Sequence, residues 1–429
     1  MSRQRLLIIT RDPTSAQLGG NAIRAAQIAQ ALAADHDVTL ASPGEDPLLG
    51  VPHHAWTPGR PATLSDVVNA ADAVIAMPQD PATHALLRRS GARLIFDLYD
   101  PYPLEVLEAF AGAPARQRRL HETITGDSFF EAMRIGHHFV CASERQRDLW
   151  LGSMLALGLI RGETYRADPT FRGRLDVVSL CLPEAPPPPG RGPREHFGDA
   201  IGRDDDVIVW FGGLWNWVDP LTAVEAMALL RERRPQARLV VVAPPASDDP
   251  SGRVARETRA LARQLGLSGT TVLFTDERVP YADRGAWLLQ AGCGVSLHAD
   301  HLETRFAFRT RLLDYLWARV PIVCTSGDEL GDMVEREDLG VVAPPGDADA
   351  VAAAFETVLT RGRPDYEASF EGMAQRFGST AVSEPLRRML QLERPRRLGQ
   401  GALVPARPGP PVRALLTRAL RAAQRAVSR

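Results

Sequence analysis

The feature that most constrains this chain is an alternation that runs through it twice. Arg5–Thr10 reads RLLIIT, a short run apolar at every interior position, as a strand covered on both faces must be. Asn21–Ala33 follows with Ile23, Ala26, Ala29 and Leu32 at helical spacing, and Asp37–Ala41 (DVTLA) returns to strand. Asp72–Ala76, Arg93–Asp97, His138–Ala142 and Leu175–Ser179 continue as strands. Thr83–Ser90, Leu104–Phe110, Ala115–Ile135 and Glu144–Leu157 read as helices between them. Strands that alternate with helices demand a parallel sheet with helices on both faces.

Pro183–Pro193 (PEAPPPPGRGP) interrupts the series. Such a stretch is extended and stiff and cannot join a packed sheet, so it reads as a linker. The alternation then restarts at Asp206–Phe211 (DVIVWF), with Asp219-Pro220 as helix cap and first helical residue. Arg238–Ala243, Val272–Phe274, Cys293–Leu297, Ile322–Cys324 and Gly340–Val342 are the later strands. The expected fold class is α/β: two Rossmann-like doubly wound domains facing a cleft. The expected organisation is a first domain over 1–182, the linker over 183–193 and a second domain over 194–362. Terminal helices over 363–392 would pack back toward the first domain, followed by an Arg-rich tail over 393–429.

Composition narrows the chemistry. All 50 basic residues are arginine, against 52 acids. That balance argues against a general nucleic-acid binder. The absence of lysine excludes a Walker A motif and Schiff-base catalysis. Any anionic ligand must be held by arginine, backbone N–H groups or helix N-termini. The four cysteines form no CxxC, and His53-His54 and His137-His138 lack the spacing of a metal site. No metal and no cofactor is expected. No apolar run approaches a spanning helix and the first strand starts at once, so a cytoplasmic location is expected. The tail carries nine arginines from Arg394 to Arg429 and no acid, with Val412, Leu415, Leu416, Ala419, Leu420, Ala423 and Val427 at helical spacing. Such a segment suits an anionic membrane surface, which would make the protein peripheral on the inner face.

In open α/β sheets ligands bind beyond the C-terminal ends of the strands. Gly19 and Gly20 follow the first strand, and Gly212 and Gly213 occupy the equivalent place in the second series. Glycine lets backbone approach a ligand, and a helix N-terminus beyond it favours negative charge. Trp215, exposed on the following loop, could stack on a sugar or a base. His298–Thr325 holds Glu303, Thr304, Arg305, Arg309 and Arg311 before or in the first turn of a helix that carries Asp314. Arginine at a helix N-terminus opposes the dipole unless an anion is present, and its paired N–H donors match a diphosphate. Asp97 and Asp100 end a first-domain strand, where a carboxylate could bind an acceptor hydroxyl or act as a base.

These residues resemble the retaining glycosyltransferases of family 4, which have the GT-B fold. GGNAIRAAQIAQALAADHDVTLAS is similar to that family's first glycine loop, helix and second strand, and LLDYLWARVPIVCT to its donor-binding helix and following strand. The resemblance spans most of Arg5 to Gln391. It implies transfer of a sugar from a nucleotide-diphosphate sugar, without metal, to a lipid-linked or polysaccharide acceptor. It also implies that Asp314 matches the second acid of the family's Glu-x7-Glu motif, which binds ribose. Phe306 stands where the first acid belongs, and Asp97-Leu98-Tyr99-Asp100 stands where the family has a histidine. Glu303 is the nearest carboxylate to take over contacts to the sugar. Asp100, Glu303, Arg309 and Arg311 are therefore the catalytic candidates. Gly19, Gly20, Gly212, Gly213, Trp215, Thr304, Arg305 and Asp314 are the donor-binding ones. The departures keep two other readings open: a non-catalytic scaffold subunit of a polysaccharide assembly complex, and a sugar-nucleotide epimerase.

Overall fold

The computed structural model describes residues 3–14, 19–44, 50–243, 252–277 and 279–399. Its first sheet holds β1 (Arg5–Ile9), β2 (Asp37–Ser42), β3 (His53–Ala55), β4 (Ala73–Ala76), β5 (Arg93–Asp97), β6 (His138–Cys141) and β7 (Leu175–Val177). The order is β3-β2-β1-β4-β5-β6-β7, every pair parallel. Its second sheet holds β8 (Asp206–Phe211), β9 (Ala237–Val242), β10 (Val272–Phe274), β11 (Cys293–Ser296), β12 (Ile322–Thr325) and β13 (Gly340–Ala343). That order is β10-β9-β8-β11-β12-β13, again all parallel. The chain is thus α/β with two Rossmann-like domains. Edge strand β3 was not legible: three residues give no periodicity, and His53 is held there by its Nε2 contact with Ser42 Oγ at 2.8 Å.

Both sheets reverse direction beside their first strand. β1 lies between β2 and β4, and β8 between β9 and β11. A crevice opens at such a reversal because the connections leave to opposite faces. Gly19-Gly20 and Gly212-Gly213 each sit just beyond the strand at a reversal point, so topology alone aims both glycine pairs at a ligand edge.

The chain crosses between domains twice. Leu182 N donates to Phe377 O at 2.9 Å and so ties the two crossings together. The proline stretch lies against the second domain, where Trp317 Nε1 donates to Ala185 O at 2.7 Å. Residues 363–392 divide between the domains. Tyr366, Phe370, Met373 and Phe377 join the second core, while Val382, Leu386, Met389 and Leu390 of the Ser379–Gln391 helix join the first. Packing on the first domain continues to Gly399. Leu398 is 1% exposed, and Gly399 N donates to Arg134 O at 2.8 Å. The amphipathic stripe from Val412 to Val427 lies outside the described residues, and no helix among those described is long and apolar enough to cross a membrane.

One expectation fails inside the first domain. Asp97 does not face the cleft as a free carboxylate. Arg24, on the Gly20–Ala33 helix, grips it with Nε and Nη2, the latter at 2.9 Å, and gives Nη1 to Ser179 O at 3.0 Å. Both side chains are buried. Removing one partner of a buried pair strands the other charge, whereas replacing both with apolar groups does not. Asp97→Asn is expected to cost about 3–5 kcal/mol in urea unfolding. The double change Arg24→Met with Asp97→Leu should cost clearly less; a double loss as large as the single one would reject the stranded-charge account.

Candidate functional site

A cavity of about 190 Å³ lies where the two reversal points face each other. It is lined by Gly19 and Gly20 from the first domain and by Gly212, Gly213, Trp215, Arg311 and Asp314 from the second. Seven of the twelve sequence candidates therefore meet in one space.

The second-domain wall is built by glycine. Gly212 has φ +120°, a region that side chains disfavour. A Cβ on Gly213 would lie 2.6 Å from the Trp215 indole, so only glycine lets that ring lie over the loop. Trp215 is 42% exposed and stacks on Trp217 with centroids 5.7 Å apart and planes 11° apart. Asn216 Nδ2 reaches across the cleft to Ala109 O at 3.0 Å.

Arg311 sits in the first turn of the Thr310–Trp317 helix, whose N-cap residue Arg309 makes no side-chain cap. Its Nη2 donates to Gly213 O at 3.0 Å, and its guanidinium lies 4.6 Å from the Trp210 ring centroid. Nη1 is buried with no hydrogen-bond partner. Burial lowers its pKa to about 10, which leaves it cationic at neutral pH. A buried unpaired donor on a cation, beside an uncapped helix N-terminus, favours negative charge. The Gly20–Ala33 helix brings a second N-terminus without a side-chain cap to the same cavity. The helix after Gly212-Gly213 does not. It starts at Pro220 and is capped by Asp219, which accepts from Thr222 N at 3.1 Å. The expectation that its N-terminus serves the anion is corrected.

Asp314 faces the cavity from the next turn. Arg284 Nε donates to its Oδ1 at 2.9 Å, and burial raises its pKa against that pull. Arg284 is itself sandwiched over Tyr281 and Trp317, 3.6 and 4.4 Å from the ring centroids. Asp314 is thus held in one orientation by a fixed cation.

The other candidates lie elsewhere. Arg309 is buried and pairs with Asp328 through Nε, while its Nη1 donates to Ser296 O at 3.0 Å. Its charge faces a carboxylate 19 residues downstream, its Nη2 is buried without a hydrogen-bond partner, and it lies outside the cavity lining. Asp328 also caps the Glu329–Arg336 helix, accepting from Leu330 N and Gly331 N at 2.9 and 3.0 Å. Thr304 is buried and gives its hydroxyl to Ala299 O at 2.7 Å, a loop-holding role. Arg305 is exposed on the short Leu302–Phe306 helix and outside the cavity lining. His298 is buried and kept neutral by burial and the nearby Arg309 and Arg311. Asp100 is partly buried, and burial with Glu105 and Asp97 nearby drives its pKa well up. Glu303 is 2% exposed with Oε2 unpartnered, and burial above all pushes it up to about 8. Thr310 and Tyr281 line the cavity but were not picked out from sequence. Thr310 stood between two flagged arginines, while Tyr281 carried no signal beyond its ring.

Comparison with known proteins agrees with this architecture. Residues 205–361 match a family model described as glycosyl transferases group 1, which covers the second domain. No curated protein sequence matches the chain. HepE from Anabaena, solved with UDP and glucose, superposes with TM-score 0.64 at 13% identity, over 90% of this chain and 99% of that one. WaaG, a glycosyltransferase involved in lipopolysaccharide biosynthesis, gives 0.57 at 17%, over 90% and 98%. Sucrose-phosphate synthase from Thermosynechococcus elongatus gives 0.59 at 14%, over 91% and 98%. The shared fold is the two-domain GT-B architecture.

Glu303 makes the pH behaviour of the site testable. An unfolded glutamate loses its proton near the ordinary value of 4.5, whereas folded Glu303 holds it to about 8. The stability that goes with the protonated form is complete below the unfolded value and is lost as pH rises through the folded one. Glu303→Gln cannot ionise. It is expected to melt higher than the wild type at about pH 9 and to converge with it at about pH 4. A difference that is constant with pH would refute the assignment.

Proposed function

We propose that this protein is a glycosyltransferase that takes a nucleotide-diphosphate sugar into the cleft. It transfers the sugar with retained configuration to a lipid-linked or polysaccharide acceptor. The observation that carries the reading is Arg311 Nη1, a buried cationic donor without a partner, in a cavity walled by glycine backbone from both domains. The family match over 205–361 and the UDP and glucose held by HepE support the same ligand class.

In this reading Arg311 and the free N–H groups of the Thr310–Trp317 helix take the diphosphate. They stabilise the charge that develops as the sugar leaves, in place of a metal ion. Asp314 accepts from the ribose hydroxyls. Trp215 offers a flat apolar face to the base or the sugar. Arg309 serves as a positioning residue through Asp328. Asp100 and Glu303 lie toward the acceptor side. The Arg-rich segment beyond Gly399 would hold the enzyme at an anionic membrane surface. Removing residues 400–429 is expected to abolish pelleting with anionic vesicles, and unchanged pelleting would remove the membrane from the proposal.

The primary test is calorimetric titration with UDP, GDP, ADP, CDP and dTDP, with and without Mg²⁺. One nucleotide should bind without the metal. Arg311→Ala and Asp314→Ala should each weaken it about 10- to 100-fold, the range of one charged hydrogen bond. Absence of binding by all five would defeat the donor-site assignment.

A further inference from the structure

Asp314 owes its orientation to a clamp that reaches beyond the cavity. Arg284 opens the short Arg284–Leu289 helix, and its side chain is 6% exposed. Its Nε donates to Asp314 Oδ1, and its Nη1 donates to Tyr281 O at 2.8 Å. The rings of Tyr281 and Trp317 cover the guanidinium. Trp317 is fixed in turn by its bond to Ala185 O in the proline stretch. The same stretch presses on Gly285. A Cβ there would lie 2.8 Å from Pro188 Cδ, 3.1 Å from Pro187 Cβ and 3.1 Å from the Trp317 ring. Linker, indole, guanidinium and carboxylate thus follow one another in contact, and each leaves the next little freedom to turn.

The clamp uses one of the two carboxylate oxygens. Arg284 holds Oδ1, and no other side chain among the described residues donates to Asp314. The carboxylate keeps 22% exposure and lines the cavity. An ionised carboxylate has room for about four hydrogen bonds. The oxygen that Arg284 leaves open therefore offers acceptors to the ligand in a fixed direction. Arg311 stands three residues before Asp314, so the two share a helix face, about 5–6 Å apart at Cβ. With a diphosphate on Arg311, that spacing matches the reach from a phosphate to the hydroxyl edge of the sugar it esterifies. Two adjacent hydroxyls satisfy a carboxylate that is held still. One hydroxyl leaves an acceptor unfilled, and a site built for a hydroxyl rejects the analogue that lacks it.

Resting on the proposed donor reading, we propose that Arg284 is a positioning residue that makes the cleft selective for the ribose form of the nucleotide. Arg284 is absent from the cavity lining, so it acts through Asp314. It fixes the carboxylate so that the 2′- and 3′-hydroxyls are satisfied together. Its charge also opposes the burial that favours the protonated carboxyl. The donor is then a glycosyl ester of a ribonucleoside diphosphate, and 2′-deoxy nucleotides, dTDP among them, are the poorer ligands.

The test is calorimetry on the full chain, with UDP, GDP, ADP and CDP titrated beside dUDP, dGDP, dADP and dCDP. The preferred ribonucleotide is expected to bind about 10- to 100-fold tighter than its 2′-deoxy form, the range of one hydrogen bond to a charged group. Arg284→Met should bring that ratio below about threefold, mainly by weakening the ribonucleotide. A purely structural role would lower both affinities alike and leave the ratio intact. Thermal melting follows the fold of each variant. Should Arg284→Met not fold, Arg284→Lys carries the test. It keeps a cation between the rings but lacks the guanidinium fork, and its ratio should fall as well. Equal binding of ribo and deoxy forms by the native chain overturns the proposal and leaves the donor reading intact. So does a full ratio in the folded Arg284 variant. If no nucleotide binds, the donor reading itself falls, and the proposal with it.

Discussion

The second-domain side of the cleft depends on one buried ion pair, Arg309 with Asp328. Arg309 stands at the N-cap position of the Thr310–Trp317 helix without capping it and reaches back to Ser296 at the end of β11. Asp328 caps the Glu329–Arg336 helix. One contact thus joins the end of a central strand to the starts of two helices. It also sets where Arg311 and Asp314 point. Beyond it, Arg145 of the first domain gives Nη1 to Gly327 O at 2.6 Å and pairs with Asp332, so the domain contact rests on the loop that the pair holds. With no lysine in the chain, a planar guanidinium makes each of these ion pairs and brings several directed donors at once.

Much of the fold was legible because parallel strands buried on both faces must be continuously apolar. RLLIIT and DVIVWF are, and β1 and β8 are the strands beside the two reversals. The glycine pair directly after β8 was legible too, since only a close approach or a positive φ rewards it there. Asp219-Pro220 announced its own cap, and the structure bears that out. Partnerships between distant segments were not legible. Nothing local distinguishes Arg309, which pairs with Asp328 outside the cavity lining, from Arg311, which lines the cavity and pairs with no carboxylate among the described residues. Asp97 looked like a cleft acid until the Gly20–Ala33 helix supplied Arg24. Glu105 went unnoticed because its importance comes from a helix nearly 200 residues later.

The site thus has two electrostatic halves. Around Arg311 the field is positive and the helix ends are uncapped. Around Glu303 burial above all, with other acids nearby, keeps the carboxyl protonated up to about pH 8. The two departures from the familiar motif, Phe306 and the stretch Asp97-Leu98-Tyr99-Asp100, fall near this second half.

The paired crossings at Leu182 and Phe377 have a mechanical consequence. Two strands tied side by side form a hinge with a defined axis, whereas a single strand would be a swivel. Opening the cleft must bend both crossings together, so the domains can part like the covers of a book but resist twisting past each other. The last helix also fills the core of the domain with which the chain began. That first domain is complete only once nearly the whole described chain has been made, so the mouth of the cleft takes shape late in synthesis.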